Sequence, residues 1–390
     1  TLIWASKTKK SKYTFNYQSL KCLNDDLQMR SDWILPICNG GERLKKNGKK
    51  VHSTQKPEAL LHRIILATTN KGDTIFDPFC GIGTIPLESD QLGRKFIAND
   101  LNPYAIAITK AKFDRNGLES EISFLDEINF SSIPSPDLSS VPKWVKEYFH
   151  KKTLSEILKL KEVLLREEKY FLFGCLLGIL HGHRPQHLSI RTGYIIPYIP
   201  KPKPKVEYKE VIPRMIQKAK RMYKDELNLR PQGKVICEDS RKLSLKDNEV
   251  DLIISSPPYY HTLDYVHANR LRLWLCGESD DDQKYLSKNL IQHRNTYLVQ
   301  MKEVGFELKR VLKKNGLVVF ILGDVHLSSK KTLNSAEDVS SIFEEIGYQR
   351  IDIFSDEIPA DRTTIVKYGG DQSIKQKKEK LDRVLIMKNI

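Results

Sequence analysis

Cysteine is scarce in this chain. There are six in 390 residues, at positions 22, 38, 80, 175, 237 and 276, and they are widely scattered. No CxxC pair or Cys/His cluster suggests zinc, and no framework of paired cysteines suggests a small disulfide-stapled domain, so no metal is expected. That usage fits the reducing cytoplasm. Long apolar runs are missing too. The most apolar stretch, Tyr170 to Leu180, is too short to span a bilayer, and no signal peptide is visible. The chain opens at Thr1 within an apolar stretch, Leu2-Ile3-Trp4-Ala5, as expected of a piece of a longer protein. What is abundant is positive charge: 64 Lys and Arg against 49 Asp and Glu, a net +15. With 40% hydrophobic residues the chain is globular, and its charge favours an anionic partner, nucleic acid first.

The surplus charge is concentrated. Residues 143–234 hold 21 Lys and Arg against 9 Asp and Glu, which is +12 of the +15. Residues 131–142 are rich in Ser and Pro and read as a linker into this segment. Helical periodicity follows over Leu154 to Leu165, then the apolar helix Tyr170 to Leu180, then His183-Arg184-Pro185-Gln186-His187 and KPKPKVEYKEV at 201–211. A basic insertion of this kind suits DNA, since lysines neutralise phosphates without choosing a sequence. Arg184, His187, Arg191 and Tyr194 are its candidates for contacts near a base.

On either side of the insertion, strands alternate with helices. Leu60, Leu61, Ile64 and Ile65 recur at helical spacing. The stretch IFDPFCGIGT at 75–84 reads as a buried strand, a glycine turn through Gly81 and Gly83, and a helix beginning near Thr84. Such a turn lets backbone N–H groups approach a cofactor, but it lacks the lysine of a phosphate loop and so argues against a nucleoside triphosphate. A second strand over 95–98 ends at Asn99-Asp100, where an acidic side chain can bind ribose hydroxyls, and Asn102-Pro103 starts the next helix. The pattern resumes at Val235 and at Asp251, whose strand ends in Ser256-Pro257-Pro258-Tyr259. Further helix and strand patterns follow to a closing strand over 383–387.

The pair of motifs, DPFCGIGT followed by SPPY, resembles the S-adenosylmethionine-dependent amino-methyltransferases of DNA, which modify N4 of cytosine or N6 of adenine. The resemblance implies an α/β fold: a doubly wound, mostly parallel, Rossmann-like class I methyltransferase sheet carrying a basic helical insertion. It divides the chain into an N-terminal remnant (1–50), a cofactor-binding part (51–130), the insertion as a DNA-binding or target-recognition element (131–234) and a catalytic part (235–390). Residues 1–17 and 29–36 resemble the segment that precedes the cofactor motifs in the adenine-N6 enzymes, which suits a fused or rearranged origin. Thr54 and Lys56, in a Thr-Gln-Lys-Pro helix start, resemble the motif beside the methionine end of the cofactor. Asp77, Pro78, Phe79, Gly81, Gly83, Thr84, Asp100 and Asn102 are implied for S-adenosyl-L-methionine. Asp239 and Ser240 are implied for its adenine, with a helix N-cap the alternative for Asp239. Ser256, Pro257, Pro258 and Tyr259 are implied as catalytic.

SPPY is the version usual in cytosine-N4 enzymes, so cytosine N4 in double-stranded DNA is the expected target. Adenine N6, an RNA amino group, or an inactive DNA-binding fragment are the alternatives. A cognate restriction endonuclease is the partner such an enzyme implies. No cysteine stands beside Pro257 or Pro258, as cytosine-C5 chemistry would need.

Overall fold

The computed structural model describes residues 14–22, 45–46, 49–50, 58–193, 196–223, 229–258, 264–293, 295–326, 332–358 and 380–390. Its centre is a sheet of seven strands: β1 (Thr74–Asp77), β2 (Lys95–Asn99), β3 (Gly233–Ile236), β4 (Val250–Ser255), β5 (Leu312–Gly323), β6 (Tyr348–Ile358) and β7 (Lys380–Asn389). They lie in the order β6-β7-β5-β4-β1-β2-β3. Neighbours are parallel from β3 across to β5, while β7 runs antiparallel to both β5 and β6. This is the doubly wound sheet expected, with an antiparallel last strand.

Strand alternation assigns the two faces. Ile75, Leu252, Ile254, Val319 and Ile321 face one layer, where they meet Leu61, Ile64 and Ile65 of α1 (Glu58–Thr68) and Ile85 of α2 (Thr84–Gln91). Leu61 and Ile65 are fully buried there, and each contributes about 1.5–3 kcal/mol of apolar transfer. Phe76, Ile253, Val318 and Phe320 face the other layer, formed with helices Tyr297–Val311 and Ser335–Glu345. The sheet's central strands are thus apolar on both sides, as parallel strands covered by helices must be.

Among the described residues of the basic segment before β3 the regular elements are helices, and they pack on helices that flank this sheet. After α3 (Pro103–Phe113) come α4 (Leu118–Asp126), α5 (Lys151–Arg166), α6 (Tyr170–Ile179) and α7 (Val211–Met222). Their apolar faces share one core that takes in Leu125 of α4 at one end and Leu271 and Leu275 of α8 (Tyr265–Cys276) at the other. Tyr104, Ala107 and Ile108 of α3 pack against the same core. Helices α6 and α3 touch where a Cβ on Gly174 would stand 2.4 Å from that of Ala111, so glycine sets their spacing. Residues 131–142 carry no helix or strand, and the packing is continuous from α4, upstream of them, into α5.

Part of the segment's charge is structural. Lys209 donates to the His187 and Ser189 carbonyls, Lys159 to that of Phe130, and Lys152 stands over the Tyr208 ring. Among the described residues no helix is long and apolar enough to cross a membrane.

Candidate active site

The site lies where β1, β2, β3 and β4 end at their carboxyl edge, the position at which open α/β sheets bind ligands. Parallel pairing of β1 with β4 brings the glycine turn beside the Ser-Pro-Pro loop. One hydrogen bond joins them: the Ser255 hydroxyl donates to Asp77 Oδ1 at 2.6 Å, and both residues are buried. Asp77 also accepts from the Phe79 N–H at 3.2 Å, which bends the chain into the turn. Burial pushes the Asp77 carboxyl up to about 7; the Ser255 and Phe79 bonds pull against that, and the charge of Asp100 adds to it.

The turn is fixed from β2. Cys80 N–H donates to the Asn99 carbonyl at 2.8 Å, and Gly81 N–H to Asp100 Oδ2 at 2.9 Å. Asp100 Oδ1 accepts from Asn102 N–H at 2.9 Å, and Asn102 Oδ1 in turn caps α3 by accepting from Tyr104 N–H at 3.0 Å, with Pro103 at the first helical position. Burial raises the Asp100 carboxyl to about 6 despite these donors. Gly81 and Gly83 both have left-handed φ, +51° and +73°, but differ in surroundings. A Cβ on Gly83 would strike Thr109 of α3 at 2.7 Å, whereas among the described residues, its chain neighbours aside, no atom lies within 4 Å of one on Gly81. The turn is therefore closed toward α3 and open at Gly81, beside the Asp100 carboxylate. That opening fits a ligand with hydroxyls to donate. Thr84 is the first residue of α2.

From β3, Ser240 donates to the Pro78 carbonyl at 2.7 Å. Asp239 is engaged by Arg241, which approaches both of its oxygens through Nε and Nη2; this pairing holds the carboxyl below its usual range although burial opposes it. Residues 239–241 form a turn and no helix follows, so Asp239 is not an N-cap: its side chain accepts from the Arg241 N–H in the turn instead. Ser256 Oγ donates to the Ile321 carbonyl of β5 at 3.2 Å.

Two residues escaped the sequence reading. Asn99 is fully buried and ties three strand ends together, with Nδ2 near the Glu238 and Pro78 carbonyls and Ser240 Oγ, and Oδ1 accepting from Glu238 N–H. Ser255 makes the bond to Asp77. The signal for both was a polar residue closing an apolar strand. Of the other expected site residues, Thr54, Lys56, Tyr194 and Tyr259 lie outside the described residues. Arg184 and His187 bond to each other in the turn after α6, and exposed Arg191 bridges to Gly182 beside them. The structure groups these three with each other on the insertion.

A sheet in this order, with a glycine turn after the first strand and a Ser-Pro-Pro loop after the fourth, defines a Rossmann-like, doubly wound α/β fold. Residues 1–111 match the family described as DNA methylase, the N6/N4 methyltransferases. The chain is 50% identical over 98 residues to the type II methyltransferase M.HinfI of Haemophilus influenzae, covering 25% of this chain and 27% of that protein. It is 42% identical over 116 residues to the type II methyltransferase M2.LlaDCHI of Lactococcus lactis subsp. cremoris, covering 30% of this chain and 42% of that one. The chain thus matches well under half the length of each of these curated relatives. Among solved structures, a SAM-dependent methyltransferase of Methanosarcina mazei aligns over 83% of this chain and 94% of its own, at 11% identity and a TM-score of 0.33.

Proposed function

We propose that the protein methylates an exocyclic amino group of DNA, with N4 of cytosine as the acceptor and S-adenosylmethionine as the donor. The observation that carries this reading is the Ser255–Asp77 hydrogen bond, which locks the cofactor-side turn to the Ser-Pro-Pro loop. When bound, S-adenosylmethionine supplies a methyl group already activated on a sulfonium, so the protein has no need to activate the donor. Asp100, Gly81 and Asn102 are the groups to hold its ribose end, and Asp77 with Pro78 and Phe79 shapes the wall between the two loops. Asp239 can accept from the adenine amine once Arg241 gives way. Thr54 and Lys56 are assigned to the methionine end from sequence alone.

The acceptor is the harder partner. An exocyclic amine is a poor nucleophile because its lone pair is delocalised into the ring. Acceptors placed on its N–H groups draw the nitrogen out of plane and stabilise the positive charge that develops there. Ser256 suits this task. Its own proton goes to the Ile321 carbonyl, so its oxygen turns to a base as an acceptor. The Pro257 carbonyl is the second acceptor, held by a loop that two prolines stiffen. Tyr259 offers a face for an extruded base. A neutral serine, where adenine enzymes more often carry a carboxylate, favours cytosine. The surplus charge on residues 143–234 supports DNA as the substrate, and a cognate restriction endonuclease is the partner this reading implies.

The test is to incubate the full chain with methyl-labelled S-adenosylmethionine and mixed-sequence DNA, digest, and identify the modified nucleoside by mass. N4-methylcytosine is expected, and Ser256→Ala should reduce its formation by at least about 100-fold while cofactor affinity stays unchanged. Label in N6-methyladenine would overturn the choice of base. Full transfer by Ser256→Ala would overturn the assigned site.

A further inference from the structure

The last turn of α6 is met by basic side chains from two other helices. Lys218 of α7 lies so close to Gly178 that a Cβ there would stand 3.3 Å from its Nζ. Arg272 of α8 donates from Nε to the Leu177 carbonyl at 3.3 Å, and its guanidinium lies over the Tyr104 ring, 5.3 Å from the centroid. Arg221 follows Lys218 by three residues on α7, hence on the same face. None of the three forms an ion pair with an Asp or Glu among the described residues. Their other hydrogen-bond partners are neutral: Asn269 Oδ1 for Arg272 and the Met222 sulfur for Lys218. Burial and then mutual repulsion lower the pKa of Lys218, with Arg221 and Arg272 as the repelling charges. The nearby Cys175 thiol is pushed up to about 12 by burial and carries no compensating charge. The carbonyl end of α6 offsets only about half an elementary charge, against three positive ones.

Beside these cations lies His181. It is 2% exposed, and among the described residues neither ring nitrogen has a hydrogen-bond partner. A buried imidazole without a partner is destabilising. Burial first, then Arg272 and His187, keep it uncharged, and a neutral imidazole still carries one N–H to donate. Three uncompensated cations and an unused donor form an arrangement that anionic oxygens would satisfy. Its location is informative as well. Arg272 stacks on the second residue of α3, which leaves the sheet at Asp100, and stands on α8, which follows the Ser-Pro-Pro loop.

We propose that Lys218, Arg221 and Arg272, together with His181, form a pocket for a backbone phosphodiester of the target DNA strand. The proposal rests on the reading of the chain as a DNA methyltransferase. The pocket fixes the strand beside the Ser-Pro-Pro loop without reading its sequence, the usual division between phosphate and base contacts.

The experiment follows binding of a labelled DNA duplex to the full chain by fluorescence anisotropy across a salt series, with methyl transfer measured separately. Each neutralised phosphate adds about 0.9 to the slope of log affinity against log salt, and the pocket holds one phosphodiester, so Lys218→Gln/Arg221→Gln should lower that slope by about 1. Lys220→Gln, exposed on the same helix, should leave it unchanged. Arg272→Gln, which removes a cation from the same phosphate, should lower it by no more than about 1, and adding it to the α7 pair should lower it no further. If Arg272→Gln loses structure through Tyr104, shown by a shifted urea midpoint, the α7 pair decides alone. An unchanged slope in that pair, or an equal fall in Lys220→Gln, would overturn the pocket. So would a selective loss of affinity for RNA of the same sequence. If the slope falls as expected but no DNA base is methylated, the pocket stands and the reaction assignment fails.

Discussion

Asp77→Asn isolates the charge at the centre of the site. The substitution keeps an oxygen to accept from Ser255 and Phe79 and removes only the carboxylate's ability to ionise. In the folded protein that carboxyl titrates at about 7, chiefly because it is buried; in the unfolded chain it titrates near 3.9. The native state therefore holds a proton through a window in which the unfolded state has released it. Stability from this group is present below about pH 4 and is lost as pH rises through about 7. Three pH units at about 1.36 kcal/mol each amount to about 4 kcal/mol. Urea unfolding of wild type and Asp77→Asn at pH 4 and pH 8 should show the variant's advantage growing by about 4 kcal/mol between them, with no further growth above pH 8. A difference that stays constant across this range would refute the claim that an ionised Asp77 is expensive in this turn. The same variant should bind S-adenosylmethionine with unaltered affinity at pH 6 if Asp77 acts through the turn's shape.

The two glycines should separate fold from ligand. Gly83→Ala puts a methyl group into Thr109 at left-handed φ and should cost about 2–4 kcal/mol of stability in urea, whereas Gly81→Ala, whose methyl group meets no neighbour among the described residues, should cost about 1 kcal/mol yet weaken cofactor binding by calorimetry far more than Gly83→Ala does. Arg383 pairs with buried Asp324 through Nε and Nη2 at 2.8 and 2.9 Å; Arg383→Met should cost about 3–5 kcal/mol by leaving that carboxylate unpaired, and adding Asp324→Asn should recover most of the loss. A single-variant cost below 1 kcal/mol would show the pair to be dispensable.

The strand ends were legible because their chemistry is local. Asp77, the glycines, Asp100 and Asn102 sit within one βαβ unit, where an apolar run, a turn and a cap announce themselves in order, and α3 begins at Pro103 as that signal implies. The order of the strands was not written locally. Nothing near Ile254 says that β4 lies against β1, because that pairing joins residues far apart in the chain and is decided by which faces the helices cover. Asn99 and Ser255 were overlooked for the same reason: a polar residue ending an apolar strand reads as an exit, and only the neighbouring strand end reveals it as a tie. The fate of Asp239 turned on a residue two positions away. Its carboxylate was foreseen, but the arginine that captures it was not. The insertion's charge was visible, whereas its division into lysines that cap carbonyls and cations left in surplus needed the packing of α5 to α8.

The place of β4 carries a consequence for assembly. Residues 1–111 match the family, and of the seven-stranded sheet they hold β1 and β2, both on one side of β4. A polypeptide released after residue 111 would present the bare flank of β1 to whatever strand came first. The C-terminal portion must therefore reach that flank before another molecule does. Limited proteolysis between α3 and α4 should accordingly yield two pieces that stay together in solution, because the flank of β1 remains occupied by β4.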